Sequence, residues 1–98
     1  MDFKPEHLKI LKKIEESPDQ NQRDLAKNLN LSLGKINYCL RALKKKGLIK
    51  VKNFKKNQNK LRYMYYLTPK GFAEKTKITI SFMKRISAEY ESLKKDSK

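Results

Sequence analysis

Side chains that can hydrogen-bond to base edges and phosphates occur together near the middle of the chain. The amide of Asn37 can pair with adenine, and Tyr38 can bond a phosphate or pack against a thymine methyl group. Arg41 can pair with guanine or hold a phosphate, and the sequence does not separate these two roles. The pattern favours a nucleic-acid partner. The alternative is that these are only polar positions on a solvent-exposed helix.

The stretch LSLGKINYCLRALKKKGLI, residues 31–49, has the features of a helix that would hold these side chains on one face. Ser32 is a suitable N-cap, and Gly47 after a lysine run is typical of a helix end. An apolar stripe recurs at i, i+4 and i+7: Ile36, Leu40 and Leu43. The residues predicted to contact DNA are Ser32, Leu33, Gly34, Lys35, Asn37, Tyr38, Arg41 and Lys45.

The charge of the chain is strongly positive and unevenly distributed. Its 98 residues, enough for one small domain, include 25 Lys and Arg against 10 Asp and Glu, for a formal net charge of +15. From Leu25 through Ala73 there are thirteen Lys and Arg and no Asp or Glu. This basic middle between mixed-charge ends indicates a polyanionic partner.

Two short helices around residue 30 match a helix-turn-helix motif. A first helix is predicted over residues 3–17, with Pro5 in its first turn. Asn21 is the N-cap of the next helix, and Asn30 can close it in the left-handed conformation. The helix that begins after Ser32 would then enter the major groove.

A basic hairpin, or wing, is predicted after the motif. Residues 48–52 read as a strand, residues 61–67 alternate between apolar and polar positions, and the segment between them is polar. Tyr65 is expected in the core, although a tyrosine-rich hairpin can also stack on single-stranded bases. The side chains predicted to meet phosphates or the minor groove are Lys55, Lys56, Lys60 and Arg62. The alternative is a solvated loop that contacts nothing.

The last helix is predicted to make a homodimer. Thr68 is its N-cap, Pro69 takes its first position, and an apolar heptad pattern continues to about Lys95. Such a rod is longer than a small domain can cover, so pairing of two copies would bury its stripe. The predicted dimer interface comprises Leu8, Leu11, Ile78, Phe82, Met83, Ile86, Tyr90 and Leu93. The alternative is that the stripe folds back on its own domain.

The predicted fold class is therefore mainly α with a small β-hairpin. We expect a winged helix-turn-helix DNA-binding domain over residues 1–68 and a C-terminal dimerisation helix over residues 69–98, which together form one compact unit.

Three segments between Gln22 and Leu93 carry a resemblance to a known family: QRDLAKNLNLSLGKINYCLRALKKKGLIKVKNF, YYLTPKGFAEK and FMKRISAEYESL. The chain resembles MarR-type transcriptional regulators, and more closely the small branch identified as EPS-associated MarR-family regulators. The resemblance implies a dimeric, sequence-specific DNA-binding regulator of polysaccharide-cluster or neighbouring genes. Larger MarR proteins bind phenolic ligands in a cleft formed with long N-terminal helices that this chain lacks, so a small-molecule effector is not expected.

The leading functional hypothesis is a transcriptional regulator, expected to be a repressor, that binds a palindromic double-stranded DNA operator as a homodimer. The alternative is a non-specific or architectural DNA- or RNA-binding protein. A winged helix used only as a protein-interaction module is disfavoured by the basic middle of the chain.

The remaining sequence features indicate which functions and partners are not expected. One His, one Cys and the lack of a Gly-rich phosphate loop predict no enzyme activity, and no metal or cofactor is expected. His7 is expected to be a surface or dimer-edge residue. Cys39 is expected to be a small buried side chain, with redox sensing as the alternative. The single cysteine, and the absence of a long apolar run and of a secretory signal pattern, predict a cytoplasmic protein without a membrane partner.

Overall fold

Helices and one antiparallel hairpin follow one another along the chain. The structure, a computed structural model, describes residues 3–57 and 60–97, and side chains are described in these ranges except from residue 54 to residue 62. The elements are α1 (Pro5–Glu16), α2 (Gln22–Leu29), α3 (Leu33–Lys45), β1 (Ile49–Asn57), β2 (Lys60–Leu67) and α4 (Pro69–Asp96). The predicted fold class, mainly α with a small hairpin and a long last helix, is confirmed.

Local hydrogen bonds set the bounds of the helix-turn-helix as predicted. The side chain of Asn21 accepts from the backbone N–H of Asp24 at 2.8 Å, and the Asp24 carboxylate accepts from the backbone N–H of Asn21 at 3.2 Å. Asn30 closes α2 with a φ of 55°. Ser32 Oγ then accepts from the backbone N–H of Lys35 at 3.1 Å and starts α3. These caps satisfy N–H groups that have no partner inside the helix.

The first helix differs from its prediction in length and in the place of His7. It spans Pro5–Glu16 rather than residues 3–17. His7 is only 3% exposed, so the expectation of a surface histidine was wrong. The physical reason is a capping interaction, in which His7 Nδ1 accepts from the backbone N–H of Lys4 at 2.9 Å. The ring also lies edge-on to Phe3, with centroids 5.8 Å apart.

The hairpin strands are longer than the alternation of side chains predicted. Their antiparallel register runs from Ile49 opposite Leu67 to Asn57 opposite Lys60, with an irregularity between Lys55 and Asn57. Residues 53–57 were predicted as loop because their side chains are mostly polar. They extend β1 because backbone pairing does not require apolar side chains.

The core lies where α1, α2 and α3 meet the inner ends of the hairpin strands and the first half of α4. The buried apolar side chains are Ile10, Leu11, Ile14, Leu25, Ile36, Cys39, Leu40, Leu43, Leu48, Ile49, Tyr65, Leu67 and Ile78. Tyr65 is therefore a core residue, as predicted. Leu11 and Ile78, which were predicted at the dimer interface, are 0% and 6% exposed in the single chain. They differ from the prediction because they already pack within their own domain.

Close backbone contacts join the start of α4 to the end of α3. The backbone N–H of Thr68 donates to Leu48 O at 3.1 Å, and Thr68 Oγ1 donates to Gly47 O at 2.6 Å. Gly47 itself has a φ of 74°, the left-handed conformation expected after α3. A Cβ atom built on Gly71 would lie 2.0 Å from Leu48 O. Only glycine permits this approach, which fixes where α4 leaves the domain.

Alanine substitutions at two helical glycines are expected to have opposite effects on stability. Gly71→Ala should lower the free energy of unfolding by about 1–3 kcal/mol, because the methyl group meets a backbone carbonyl. Gly34→Ala should raise it by up to about 1 kcal/mol, because nothing lies within 4 Å of that position and alanine favours the helix. Chemical denaturation of both variants measures the difference. Equal destabilisation would show that the contact with Leu48 is unimportant.

The second half of α4 extends away from the domain. Every side chain from Met83 to Ser97 is exposed. The radius of gyration is 16.5 Å, against about 13 Å for a compact chain of this length. The exposed apolar side chains on this half are Met83, Ile86, Tyr90 and Leu93, each 62–68% exposed.

Candidate nucleic-acid interface

Helix α3 separates a buried apolar stripe from an exposed polar face, as predicted. Ile36, Leu40 and Leu43 are at most 3% exposed, and Cys39 widens the stripe. Tyr38, on the opposite side of the helix, is 70% exposed, and Leu33, the first residue of α3, is 45% exposed. The exposed members of the predicted DNA-binding set are Ser32, Leu33, Gly34, Lys35, Tyr38, Arg41 and Lys45.

Asn37 differs from the other residues predicted to contact DNA through α3, because it is not fully exposed. It is half-buried, and its Nδ2 donates to Gln22 Oε1 at 3.2 Å. Gln22 Nε2 in turn donates to Tyr65 Oη at 3.3 Å. Gln22 was not among the predicted site residues. Asn37 directly follows buried Ile36, about 100° further round the helix, and this edge position was the available signal that it contacts a neighbouring element.

The exposed face lies in an environment of positive charge. Lys44, Lys45 and Lys46 are all exposed at the end of α3, where they also oppose the negative pole of the helix. Lys50 and Lys52 are exposed on β1, and Lys52 Nζ lies 5.4 Å from the ring centroid of Tyr66. The predicted site did not include Lys44, Lys46, Lys50 and Lys52, although all four lie in the basic segment from Leu25 to Ala73.

The predicted wing contacts fall where side chains are not described. Lys55 and Lys56 belong to β1, and Lys60 and Arg62 belong to β2, in the outer half of the hairpin. Their side chains lie outside the described residues. The wing contacts therefore stay a prediction.

Burial has the largest effect on the pKa of two side chains, Cys39 of α3 and His7 of α1. Cys39 is 1% exposed, and burial raises the pKa of its thiol, with Lys35 opposing. A protonated thiol is a poor nucleophile, so a buried structural role, as predicted, fits Cys39. Burial lowers the pKa of His7 most strongly, so its ring is neutral near pH 7. Because Nδ1 accepts a hydrogen bond, the proton of that neutral ring is on Nε2.

In residues 3–57 and 60–97, no three His, Cys, Asp or Glu side chains are grouped so that they could hold a metal ion. No helix in the same part of the chain combines the length and apolar character needed to span a membrane.

One family model matches the helix-turn-helix part of this fold. Residues 7–50 match the family model described as winged helix-turn-helix DNA-binding. The match covers most of α1, all of α2 and α3, and the first residues of β1. None of the curated proteins matches the sequence.

Solved structures of transcription regulators share the fold. Streptococcus pneumoniae FabT, solved in complex with DNA, is 21% identical with a TM-score of 0.67, and the match covers 93% of this chain and 62% of FabT. A MarR family transcription regulator is 22% identical with a TM-score of 0.72, and the match covers 92% of this chain and 58% of that regulator. A transcriptional regulator homologue from Pyrococcus horikoshii is 21% identical with a TM-score of 0.70, and the match covers 86% of this chain and 82% of that homologue.

These matches confirm the predicted resemblance at the level of the fold. The chain has the winged helix-turn-helix fold of MarR-family transcription regulators, with a two-stranded wing and a long C-terminal helix. It spans about three fifths of the length of FabT and of the MarR family regulator. The narrower likeness to EPS-associated regulators stays a prediction.

Proposed function

We propose that this protein is a MarR-type transcriptional repressor that binds a specific double-stranded DNA operator as a homodimer. The observation that carries the proposal is the exposed face of α3. It presents Tyr38, Arg41 and Lys45 inside a segment of 49 residues without an acidic side chain. FabT, which has the same fold, has been solved with DNA.

In this proposal α3 enters the major groove. Arg41 and Tyr38 would meet base edges or phosphates, and Lys45 would contact the backbone. The open space around Gly34 lets the first turn of α3 approach the DNA closely. The hairpin would lie along the flanking backbone or minor groove, with the exposed Lys50 and Lys52 near its base.

The exposed half of α4 supports the dimer. Its four apolar side chains form a stripe on a rod that the single chain leaves uncovered. Pairing two such helices about a two-fold axis would bury the stripe. The two α3 helices would then lie about one DNA turn, or about 34 Å, apart, so the operator should be an imperfect palindrome. We propose repression because a dimer over a promoter excludes polymerase without any further contact.

A competition experiment tests the proposal. Labelled duplex DNA from the promoter of the protein's own gene is bound and then challenged with excess random duplex or structured RNA. A specific regulator should resist both competitors, since specific complexes are typically at least about 10³-fold tighter than non-specific ones. Equal competition by random duplex would favour the architectural alternative, and preferential competition by RNA would identify an RNA-binding protein.

Substitutions on α3 and on the hairpin should separate base readout from backbone contact. Asn37→Ala and Tyr38→Ala should reduce discrimination between operator and random duplex by about 1–3 kcal/mol for each lost base contact. Lys55→Ala and Lys60→Ala should weaken binding to both DNAs about equally. Fluorescence anisotropy with the two duplexes measures each effect. If the hairpin variants change specificity and the α3 variants do not, the assigned roles are reversed.

A further inference from the structure

A chain of side-chain hydrogen bonds connects the edge of α3 to the core of the hairpin. Asn37 Nδ2 donates to Gln22 Oε1, and Gln22 Nε2 donates to the hydroxyl oxygen of Tyr65. These hydrogen bonds connect three elements, because Asn37 belongs to α3, Gln22 is the first residue of α2 and Tyr65 belongs to β2. Tyr65 is 6% exposed, so one end of the chain is held in the core while the other is at the candidate DNA-binding face.

The bonds couple the direction of the Asn37 amide to that of the Gln22 amide, and in the structure Asn37 turns its Nδ2 toward Gln22. An asparagine amide presents a donor on one branch and an acceptor on the other. With Nδ2 directed at Gln22, the carbonyl oxygen Oδ1 lies on the branch away from it. Reversing Asn37 alone would place two carbonyl oxygens against each other, so Asn37 can turn only if Gln22 turns with it and the Tyr65 hydroxyl changes from acceptor to donor. The position of Gln22 at the start of α2 therefore influences which group Asn37 can offer to a base.

We propose that Gln22 is a positioning residue for base readout, because it turns the Asn37 amide so that its carbonyl oxygen faces the DNA. This inference rests on the proposed function. A presented oxygen accepts from the exocyclic amino groups of adenine or cytosine, whereas a presented amino group would donate to guanine or to the O4 atom of thymine. The contacted position in each half-site should therefore favour adenine or cytosine.

Gln22→Met and Gln22→Glu distinguish this role from simple support of the fold. Methionine keeps the length of the side chain and removes both hydrogen bonds, so the Asn37 amide is free to turn. Glutamate has only acceptor oxygens when ionised, so it can still accept from Asn37 Nδ2, and the Tyr65 hydroxyl can donate to its second oxygen. Asn28→Ala, at an exposed position of the same helix, is the matched control.

The experiment selects bound sequences from a library of random duplexes with wild type, Asn37→Ala, the two Gln22 variants and Asn28→Ala. Asn37→Ala should lose the base preference at one position of each half-site. Gln22→Met should relax the same position by about fivefold or more. Its binding to random duplex should change less than about twofold, since no phosphate contact is removed. Gln22→Glu should keep the preference, with weaker binding to all DNA because of its added negative charge.

The outcomes separate this inference from the proposed function. If wild type enriches no sequence, sequence-specific regulation itself fails, and the role of Gln22 fails with it. If wild type enriches a motif that Asn37→Ala or Gln22→Met leaves unchanged, only the positioning role is overturned. The same conclusion follows if Gln22→Glu relaxes the position as much as Gln22→Met does, or if the two residues affect different positions.

Discussion

The double variant Ile86→Glu/Leu93→Glu is expected to be a folded monomer that binds operator DNA about 10²–10⁴-fold more weakly than wild type. Both side chains are exposed in the single chain, at 64% and 68%, so glutamate there should cost the monomer little stability. In a dimer the same positions would bury four carboxylates without partners, which strongly opposes association. Sedimentation measures the oligomeric state, and anisotropy with operator DNA measures the affinity.

The matched control places the same two charges on the opposite side of α4. Ser81→Glu/Ala88→Glu alters exposed positions that lie away from the apolar stripe. This variant should remain a dimer, with at most a modest loss of DNA affinity from its added negative charge. A wild-type protein that is monomeric at micromolar concentration and still binds a single half-site tightly would contradict the dimer proposal. A truncation after Thr76 would also remove the exposed half of α4, but it would remove the buried side chain of Ile78 from the core as well. The substitutions test dimerisation without that loss.

Affinity for operator DNA is expected to fall by about 10³–10⁵ between 50 and 200 mM monovalent salt. The exposed cations of α3 and β1 lie in a segment with thirteen basic residues and no acidic ones. A dimer that uses part of this surface should neutralise on the order of 6–10 phosphates, and each neutralised phosphate releases counterions into the solution. The slope of log affinity against log salt measures the number of contacts.

Single lysine variants locate the contacts that produce the slope. Lys45→Ala, at the exposed end of α3, removes one cation from each subunit and should reduce the slope by about 2 in a dimer. Lys12→Ala, at an exposed position on α1, removes the same charge away from the proposed face and should leave the slope nearly unchanged. A flat plot for wild type, or equal effects of both variants, would argue against α3 as the contact surface.

Much of the fold could be predicted because its signals are local. Asn21, Ser32 and Thr68 begin helices through hydrogen bonds to residues three positions later. Asn30 and Gly47 take the left-handed backbone that ends α2 and α3. Each of these interactions involves neighbours in the chain, so residue type and spacing are sufficient to predict it. The exposed face of α3 follows from the same periodicity.

Only the tertiary structure decided which apolar and polar side chains already contact other residues within the single chain. Periodicity placed Ile78 and Ile86 in one stripe, yet the first is buried against the domain and the second is exposed. Helical spacing placed Asn37 with Tyr38, yet Asn37 is bonded to Gln22, fifteen residues away. A sequence specifies which face of a helix a residue is on. What that face meets depends on how distant elements pack, because contacts across the fold are set by the geometry of the whole core rather than by local spacing.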